Sequence, residues 1–167
     1  MKKFIKEIIV FLVVIFLATN AIGYYRSVSV KSNNLIDILN TRTTISNKSV
    51  KKLLANKKPV VINFWGTWCP VCSQEVSTLS ALAKRDDIIL LTIAVNSGSK
   101  KDIKEYMAKK GVNFLVINDT DSSISNAANV SVFPTTIFFN ANKDKTIKDS
   151  GYTTQAGFLA RVKLLKD

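Results

Sequence analysis

The chain has 167 residues, the length of a single domain, and carries a formal net charge of +12. Because it contains two cysteines and no histidine, a zinc site built within the chain, which needs four such ligands, is not expected. Its scattered lysines are typical of a solvated surface that could favour acidic proteins or an anionic membrane, and they lack the arginine and aromatic clusters that bind nucleic acid.

The N-terminus combines a charged start with a long apolar segment. Residues 1–7 contain three lysines and predict a basic cytoplasmic N-terminus, and the 18 residues 8–25 are mostly apolar and predict a transmembrane anchor. A helix of that length reaches about 27 Å, close to the ~30 Å hydrocarbon core of a bilayer. A cleaved signal peptide remains an alternative, because Ala21-Ile22-Gly23 could serve as its exit. In both cases the rest of the chain is expected to face outward, into a compartment where disulfides persist.

A polar segment separates this anchor from the predicted globular domain. Residues 26–45 are rich in Ser, Asn, Thr and Lys and are interpreted as a tether, with a short edge strand at Leu35–Leu39. The domain itself is expected to span residues 46–167. It opens with a short helix capped by Ser49, and the apolar run Val60–Trp65 is typical of a strand buried on both faces.

The remaining sequence alternates between helical and strand patterns. Strands alternating with helices, and then two strands joined by a tight turn, indicate an α/β fold with a mixed central sheet flanked by helices. Helices are predicted at about Pro70–Arg85, Lys100–Lys110, Ser122–Asn129 and Gln155–Leu165, and strands at Ile88–Val95, Phe114–Ile117, Thr135–Phe139 and Thr146–Tyr152.

Both cysteines lie in the segment Trp68-Cys69-Pro70-Val71-Cys72. Two thiols this close can form a disulfide within one turn of backbone and exchange two electrons with another dithiol. A purely structural disulfide is less suitable, because so short a loop removes little entropy from the unfolded chain. Cu(I) binding by the two thiolates stays open, since soft sulfur ligands suit that ion. A strand that leads into a helix through Cys-x-x-Cys is the thioredoxin arrangement, so redox chemistry is the leading interpretation.

The segment from Asn63 to Cys72 resembles the membrane-tethered, thioredoxin-like TlpA/ResA family of bacterial thiol-disulfide oxidoreductases. The likeness covers about residues 59–167, and the Pro70-Val71 pair and residues 151–154 resemble the branch called suppressor of copper sensitivity protein D more closely. Further matching segments are Ala94-Val95-Asn96, Tyr106-Met107, Gly111-Val112-Asn113-Phe114, Asn118-Asp119-Thr120-Asp121 and Phe133-Pro134-Thr135-Thr136. The resemblance implies a thioredoxin-like fold in a bacterial membrane protein, with no metal and no cofactor beyond a redox-active disulfide, Cys69–Cys72.

The resemblance and the helix pattern assign roles to four polar residues. Cys69 is expected to be exposed at the positive end of the helix dipole and to be the attacking thiol, with Cys72 as the resolving thiol. Glu75 matches a family glutamate and lies at the edge of the apolar helix face, so it is expected to be partly buried and to carry the proton of Cys72. An ordinary surface glutamate is the alternative. Asn63 stands where cytoplasmic thioredoxins have a buried aspartate, and it cannot titrate.

Three further residues are expected to contact a substrate. By its family match, Pro134 is predicted to follow a cis peptide bond and to turn the backbone of Phe133 toward the cysteines, where it can pair with a substrate strand. Trp68 is expected to shield the disulfide and to offer an apolar contact, while Trp65 fills the core. Ser77 and Val71 replace prolines that are common in the family, which leaves the reduction potential open.

Together these features predict an extracytoplasmic thiol-disulfide oxidoreductase that reduces protein disulfides. By resemblance, its electrons would come from a membrane thiol-transfer protein, and its substrate would be a disulfide-containing protein such as apocytochrome c. The alternatives are a disulfide oxidase or isomerase that uses the same residues, and a Cu(I)-binding copper-tolerance module. A fold-only adaptor is disfavoured by the combination of both cysteines, Glu75 and Phe133-Pro134.

Overall fold

A computed structural model describes residues 32–165 and, before them, residues 7, 10, 11, 13 and 14. The predicted anchor at residues 8–25 and residues 26–31 of the predicted tether therefore lie largely outside the described residues. Within the part of the chain that is described, no helix has both the length and the apolar character needed to cross a bilayer.

A five-stranded mixed sheet forms the centre of the domain, in the order β3-β2-β1-β4-β5. The first three strands are parallel to one another, and β4 and β5 run antiparallel to their neighbours. The predicted α/β architecture is confirmed, although β3 begins and ends two residues later than expected. The strands are β1 Val60–Trp65, β2 Ile89–Val95, β3 Val116–Asp119, β4 Thr135–Phe139 and β5 Thr146–Ser150.

Six helices within residues 32–165 cover the two faces of the sheet. They are α1 Ser32–Asn40, α2 Val50–Leu54, α3 Pro70–Leu82, α4 Lys100–Lys110, α5 Ser123–Ala127 and α6 Gln155–Leu164. Helix α4 has the predicted bounds, because Ser99 and Asp102 form a reciprocal capping box at its start and left-handed Gly111 ends it. Helix α3 is continuous and ends at Leu82, three residues before the predicted end.

The core consists of two apolar layers, one on each face of the sheet. Helices α3, α4 and α6 pack on one face and helices α1, α2 and α5 on the other. Strand β1 alternates between the layers, with Val61 and Trp65 on the α3 side and Ile62 and Phe64 on the α1 side. Burial on both faces explains why the strand is apolar along nearly its whole length.

The structure corrects the predicted tether. Residues 32–40 form helix α1 instead of an edge strand, and Leu35 and Leu39, four residues apart on one helix face, are completely buried. Ile45 is also buried, and its backbone N–H donates to the carbonyl oxygen of Val116 in β3 at 2.8 Å. Burial of this helix face outweighs the polar composition of the segment. Residues 32–45 are therefore part of the packed domain.

We expect Leu39→Ala to destabilise the domain by roughly 2–5 kcal/mol, because it removes a buried side chain and leaves a cavity against the sheet. Urea denaturation of the full-length oxidised chain measures this change. Leu164→Ala, at a position that is 70% exposed, is the matched control and should cost no more than about 0.5 kcal/mol. Equal losses in the two variants would mean that α1 is not part of the cooperative fold.

Candidate active site

The two cysteines lie where β1 passes into α3. Cys69 is the N-cap residue of α3 and Pro70 occupies its first turn, where the missing proline N–H leaves no helical hydrogen bond unmade. The sulfur atoms of Cys69 and Cys72 form a disulfide, with the two Cα atoms 5.3 Å apart. The predicted pairing is therefore present at the N-terminus of a helix.

The two sulfur atoms have different surroundings. The backbone N–H of Cys72 donates to Sγ of Cys69 at 3.2 Å, so a helix N-terminal donor points at the first sulfur. A donor at this position stabilises negative charge on Cys69 when the disulfide is reduced. The expectation that Cys69 is exposed is wrong for the oxidised protein, since Cys69 is 5% exposed and Cys72 1%. Both residues are covered by the apolar layer on the α3 side of the sheet, in which they are packed.

The loop before β4 supplies part of this cover. Because β4 is antiparallel to β1, its beginning lies at the same sheet edge as the end of β1, with Thr135 opposite Phe64. The peptide bond between Phe133 and Pro134 is cis, as predicted. The carbonyl oxygen of Phe133 lies 3.8 Å from Sγ of Cys69. The structure thus brings the predicted proline loop into contact with the first cysteine.

Trp68 forms the exposed rim beside the disulfide. Its side chain is packed across Gly66, where an added Cβ would lie 2.6 Å from Cε2 of the indole. The indole N–H donates to the carbonyl oxygen of Val95 at 3.1 Å, and the ring meets Phe133 edge to face at a centroid distance of 5.4 Å. The residue as a whole remains 54% exposed. Trp68 is therefore held in one orientation while still presenting an apolar surface.

The segment that follows β5 contacts both the proline loop and the interior. The N–H of left-handed Gly151 donates to the carbonyl oxygen of Pro134 at 2.8 Å. Tyr152 is 50% exposed, and the N–H of Thr153 donates inward to Oε1 of Glu75 at 2.7 Å. In the sequence, residues 151–154 are marked only by a family likeness. Their contacts cannot be predicted from it, because they depend on the position of β5 beside β4.

Glu75 is buried more completely than predicted, at 1% exposure. It lies one helical turn after Cys72 on the same side of α3. Its Oε2 accepts from Nδ2 of Asn63 at 2.9 Å, while Oε1 accepts from Thr153. Burial raises the pKa of Glu75 above its ordinary value, the hydrogen bonds from Thr153 and Asn63 oppose this change, and the negative charge of Asp149 adds to it.

Asn63 was singled out in the sequence as a residue that cannot titrate, but its contact with Glu75 was not predicted. Its Nδ2 also donates to Oγ1 of Thr136, the residue directly opposite it on β4, at 2.9 Å. The alternation of β1 contained a usable signal, because Asn63 shares the α3 side of the strand with Val61 and Trp65. A polar residue on a buried face requires a hydrogen-bonding partner.

A second acidic residue and a cation lie behind this site. Asp149 on β5 accepts from Oγ1 of Thr153 at 3.1 Å and pairs with Arg161 on α6 at 2.6 Å. Within the described part of the chain, no three His, Cys, Asp or Glu residues form a group that could hold a metal ion.

The order of the strands, and a disulfide at the start of the helix that follows the central strand, define a protein of the thioredoxin fold. The Redoxin family model matches residues 29–155, and the chain belongs to this family.

Similar proteins include thiol-disulfide oxidoreductase ResA of Bacillus subtilis, which is 40% identical over 85 residues, 50% of this chain and 48% of that protein. A thioredoxin-like protein of Haemophilus influenzae is 28% identical over 109 residues, which are 65% of this chain and 64% of the relative. The chain thus spans about half to two thirds of the length of these curated relatives. The crystal structure of a secreted Mycobacterium tuberculosis disulfide oxidoreductase matches with a TM-score of 0.63 and 27% identity, over 74% of this chain and 93% of that one.

The raised pKa of Glu75 makes the stability of the protein depend on pH. Above the ordinary value of 4.5, an unfolded chain has released this proton, whereas the folded protein retains it up to the raised pKa. The contribution of Glu75 to the free energy of unfolding is therefore complete below about pH 4.5. It decreases as the pH rises from there to the raised pKa, by ~1.4 kcal/mol per pH unit at most.

Urea denaturation of oxidised wild type and Glu75→Gln between pH 4 and 8 measures this contribution, because other titrating groups cancel in the difference. A difference in stability that does not vary with pH is expected as well, since Asn63 and Thr153 donate to different oxygens of Glu75 and the variant replaces one of these oxygens with an NH2 group. We expect the wild type to lose stability relative to the variant as pH rises. A difference that is flat with pH would contradict the raised pKa.

Proposed function

We propose that the chain is a protein disulfide oxidoreductase that acts as a reductase through Cys69 and Cys72. The hydrogen bond from the N–H of Cys72 to Sγ of Cys69 carries the proposal, because it selects one sulfur as the stabilised thiolate. Membership of the Redoxin family and the likeness to named thiol-disulfide oxidoreductases support this chemistry.

In the proposed reaction, the Cys69 thiolate attacks one sulfur of a substrate disulfide. A mixed disulfide forms with Cys69, and the other substrate sulfur leaves as a thiolate that takes up a proton. Cys72 then loses its proton and attacks Sγ of Cys69, which releases the second substrate sulfur as a thiolate. The substrate gains two electrons and becomes a dithiol, while the chain is left with the Cys69–Cys72 disulfide. A donor dithiol reduces it again by the reverse sequence.

Glu75 is the proton carrier for Cys72 in this scheme. Its carboxylate is buried one helical turn from Cys72, and burial raises its pKa, so that it accepts and releases a proton at higher pH than an exposed glutamate does. With no titratable group at residue 63, this role falls to Glu75.

Trp68, Phe133 and Pro134 form the proposed docking edge for the substrate. The carbonyl oxygen of Phe133 lies beside Sγ of Cys69, so a substrate strand paired with this backbone would have its disulfide next to the attacking sulfur. The exposed indole of Trp68 adds apolar contact area to the same edge.

The proposed setting is the outer side of a bacterial membrane, with residues 8–25 as a single anchor and residues 1–7 in the cytoplasm. The apolar sequence of that segment supports the anchor. By resemblance to the TlpA/ResA family, a membrane thiol-transfer protein would supply electrons. The substrate is a disulfide-containing protein such as apocytochrome c. A reducing direction fits this setting, because disulfides that form outside the cytoplasm are reversed only by a dedicated donor.

Cys72→Ala should trap substrates, because a mixed disulfide on Cys69 can no longer be resolved. Incubation of the full-length variant with a disulfide-containing peptide, followed by mass spectrometry without reductant, should show the peptide linked at Cys69. Cys69→Ala is the matched control and should trap at least about tenfold less. Equal labelling of both variants would contradict the assigned order of the thiols. Cu(I) capture by the wild-type dithiol without any exchange would replace the proposal with metal binding.

The direction of electron flow can be tested by equilibrating the full-length chain with glutathione buffers and measuring the fraction oxidised. A reductase should have a reduction potential near the roughly −270 mV of thioredoxin. The Cys72→Ala variant, which cannot form the disulfide, corrects for glutathione adducts on Cys69. A potential near the ~−120 mV of a strong oxidant would contradict the reductase direction and favour an oxidase.

A further inference from the structure

The carboxylate of Glu75 receives one hydrogen bond on each oxygen, from two different parts of the fold. The loop after β5 supplies the backbone N–H of Thr153, which only a substitution by proline would remove. Strand β1 supplies the side-chain amide of Asn63. Because Asn63 is completely buried in the central strand, its amide offers this donor from a fixed position.

We propose that Asn63 is a positioning residue that orients Glu75 and keeps the titration of its carboxyl group within the pH range in which thiol exchange takes place. The inference rests on the proposed function, in which Glu75 carries the proton of Cys72. Asn63 does not exchange protons and acts only through Glu75.

Both protons of the Asn63 amide nitrogen are used, one by Oε2 of Glu75 and one by Oγ1 of Thr136. The amide oxygen Oδ1 is buried and has no hydrogen-bonding partner among the described residues. Rotating the amide by half a turn would place this oxygen against the carboxylate, where two acceptors repel each other. The ionised form of Glu75 and the hydroxyl of Thr136 therefore select the observed orientation, and this orientation in turn favours the ionised form.

The charged groups around Glu75 do not replace this contact. On its own helix, Cys72 lies one turn away and is the proposed exchange partner. From β5, Asp149 acts through space to raise the pKa of Glu75, and Arg161 of α6 is paired with Asp149. Asn63 opposes burial through a direct hydrogen bond, without adding a second titrating group. An aspartate at residue 63 would instead place two carboxylates within hydrogen-bonding distance, and they would titrate as a coupled pair.

The chain contains three glutamates, so labelling with carboxyl-¹³C glutamate gives three side-chain signals and allows Glu75 to be titrated directly in the full-length protein. The variants are Asn63→Leu, which keeps a similar shape without the donor, and Asn63→Asp. Thr92→Val is the matched control. Thr92 lies opposite Asn63 on β2, is buried, and donates to the carbonyl oxygen of Leu115 instead of contacting Glu75.

In Asn63→Leu we expect the titration midpoint of Glu75 to rise by about one pH unit, the tenfold change that loss of a hydrogen bond to a charged group produces. In Asn63→Asp the signal should titrate in two steps. The midpoint in Thr92→Val should not move. A midpoint in folded Asn63→Leu equal to that of the wild type would overturn the inference. If that variant does not fold, a single unshifted step in Asn63→Asp would overturn it as well.

Exchange rates between pH 5 and 9 separate this inference from the proposed function. Asn63→Leu should move the pH dependence of exchange in the same direction as the Glu75 midpoint, and Glu75→Gln should remove that dependence. A moved midpoint with unchanged exchange in both variants would support the control of Glu75 by Asn63 and contradict the role of Glu75 as proton carrier.

Discussion

The central strand β1 is the constraint on which the site depends. It pairs with β2 on one side and β4 on the other, and helices cover both of its faces. A strand held on four sides has little freedom to shift along its axis, because a slip of one residue would exchange its two buried faces. The end of β1 therefore fixes where Cys69 begins α3, and the middle of β1 fixes where Asn63 meets Glu75.

Much of the fold follows from local sequence. The bounds of β1, β4 and α4 agree with prediction because a continuous apolar run, a capping serine and a left-handed glycine mark them directly. Helix α1 was missed for the opposite reason. Its two buried leucines lie in a short apolar run with polar residues on either side, and nothing within the segment indicates that a sheet face is available to cover them. Tertiary packing decides the structure of such a short segment.

The active site, like the fold, has one part that local sequence predicts and another that only the tertiary structure shows. Short motifs and a family resemblance locate the cysteines, Glu75 and the proline loop, because neighbouring residues supply each of those signals. The hydrogen bonds of Glu75 join residues 63, 75 and 153, which are far apart in sequence and meet only through strand order. The low exposure of Cys69 has the same origin, because the covering loop enters the sheet next to β1 only when β4 is antiparallel. Such contacts depend on registers that sequence periodicity does not specify.

Three consecutive residues connect the surface of the site to its interior. The backbone N–H of Gly151 is hydrogen-bonded to Pro134, Tyr152 is half exposed, and the backbone N–H of Thr153 is hydrogen-bonded to the carboxylate of Glu75. Because one short stretch of backbone makes all three contacts, displacement of the loop and displacement of the carboxylate are mechanically linked. A movement of the exposed surface at Tyr152 would therefore also move the backbone N–H that Thr153 donates to Glu75.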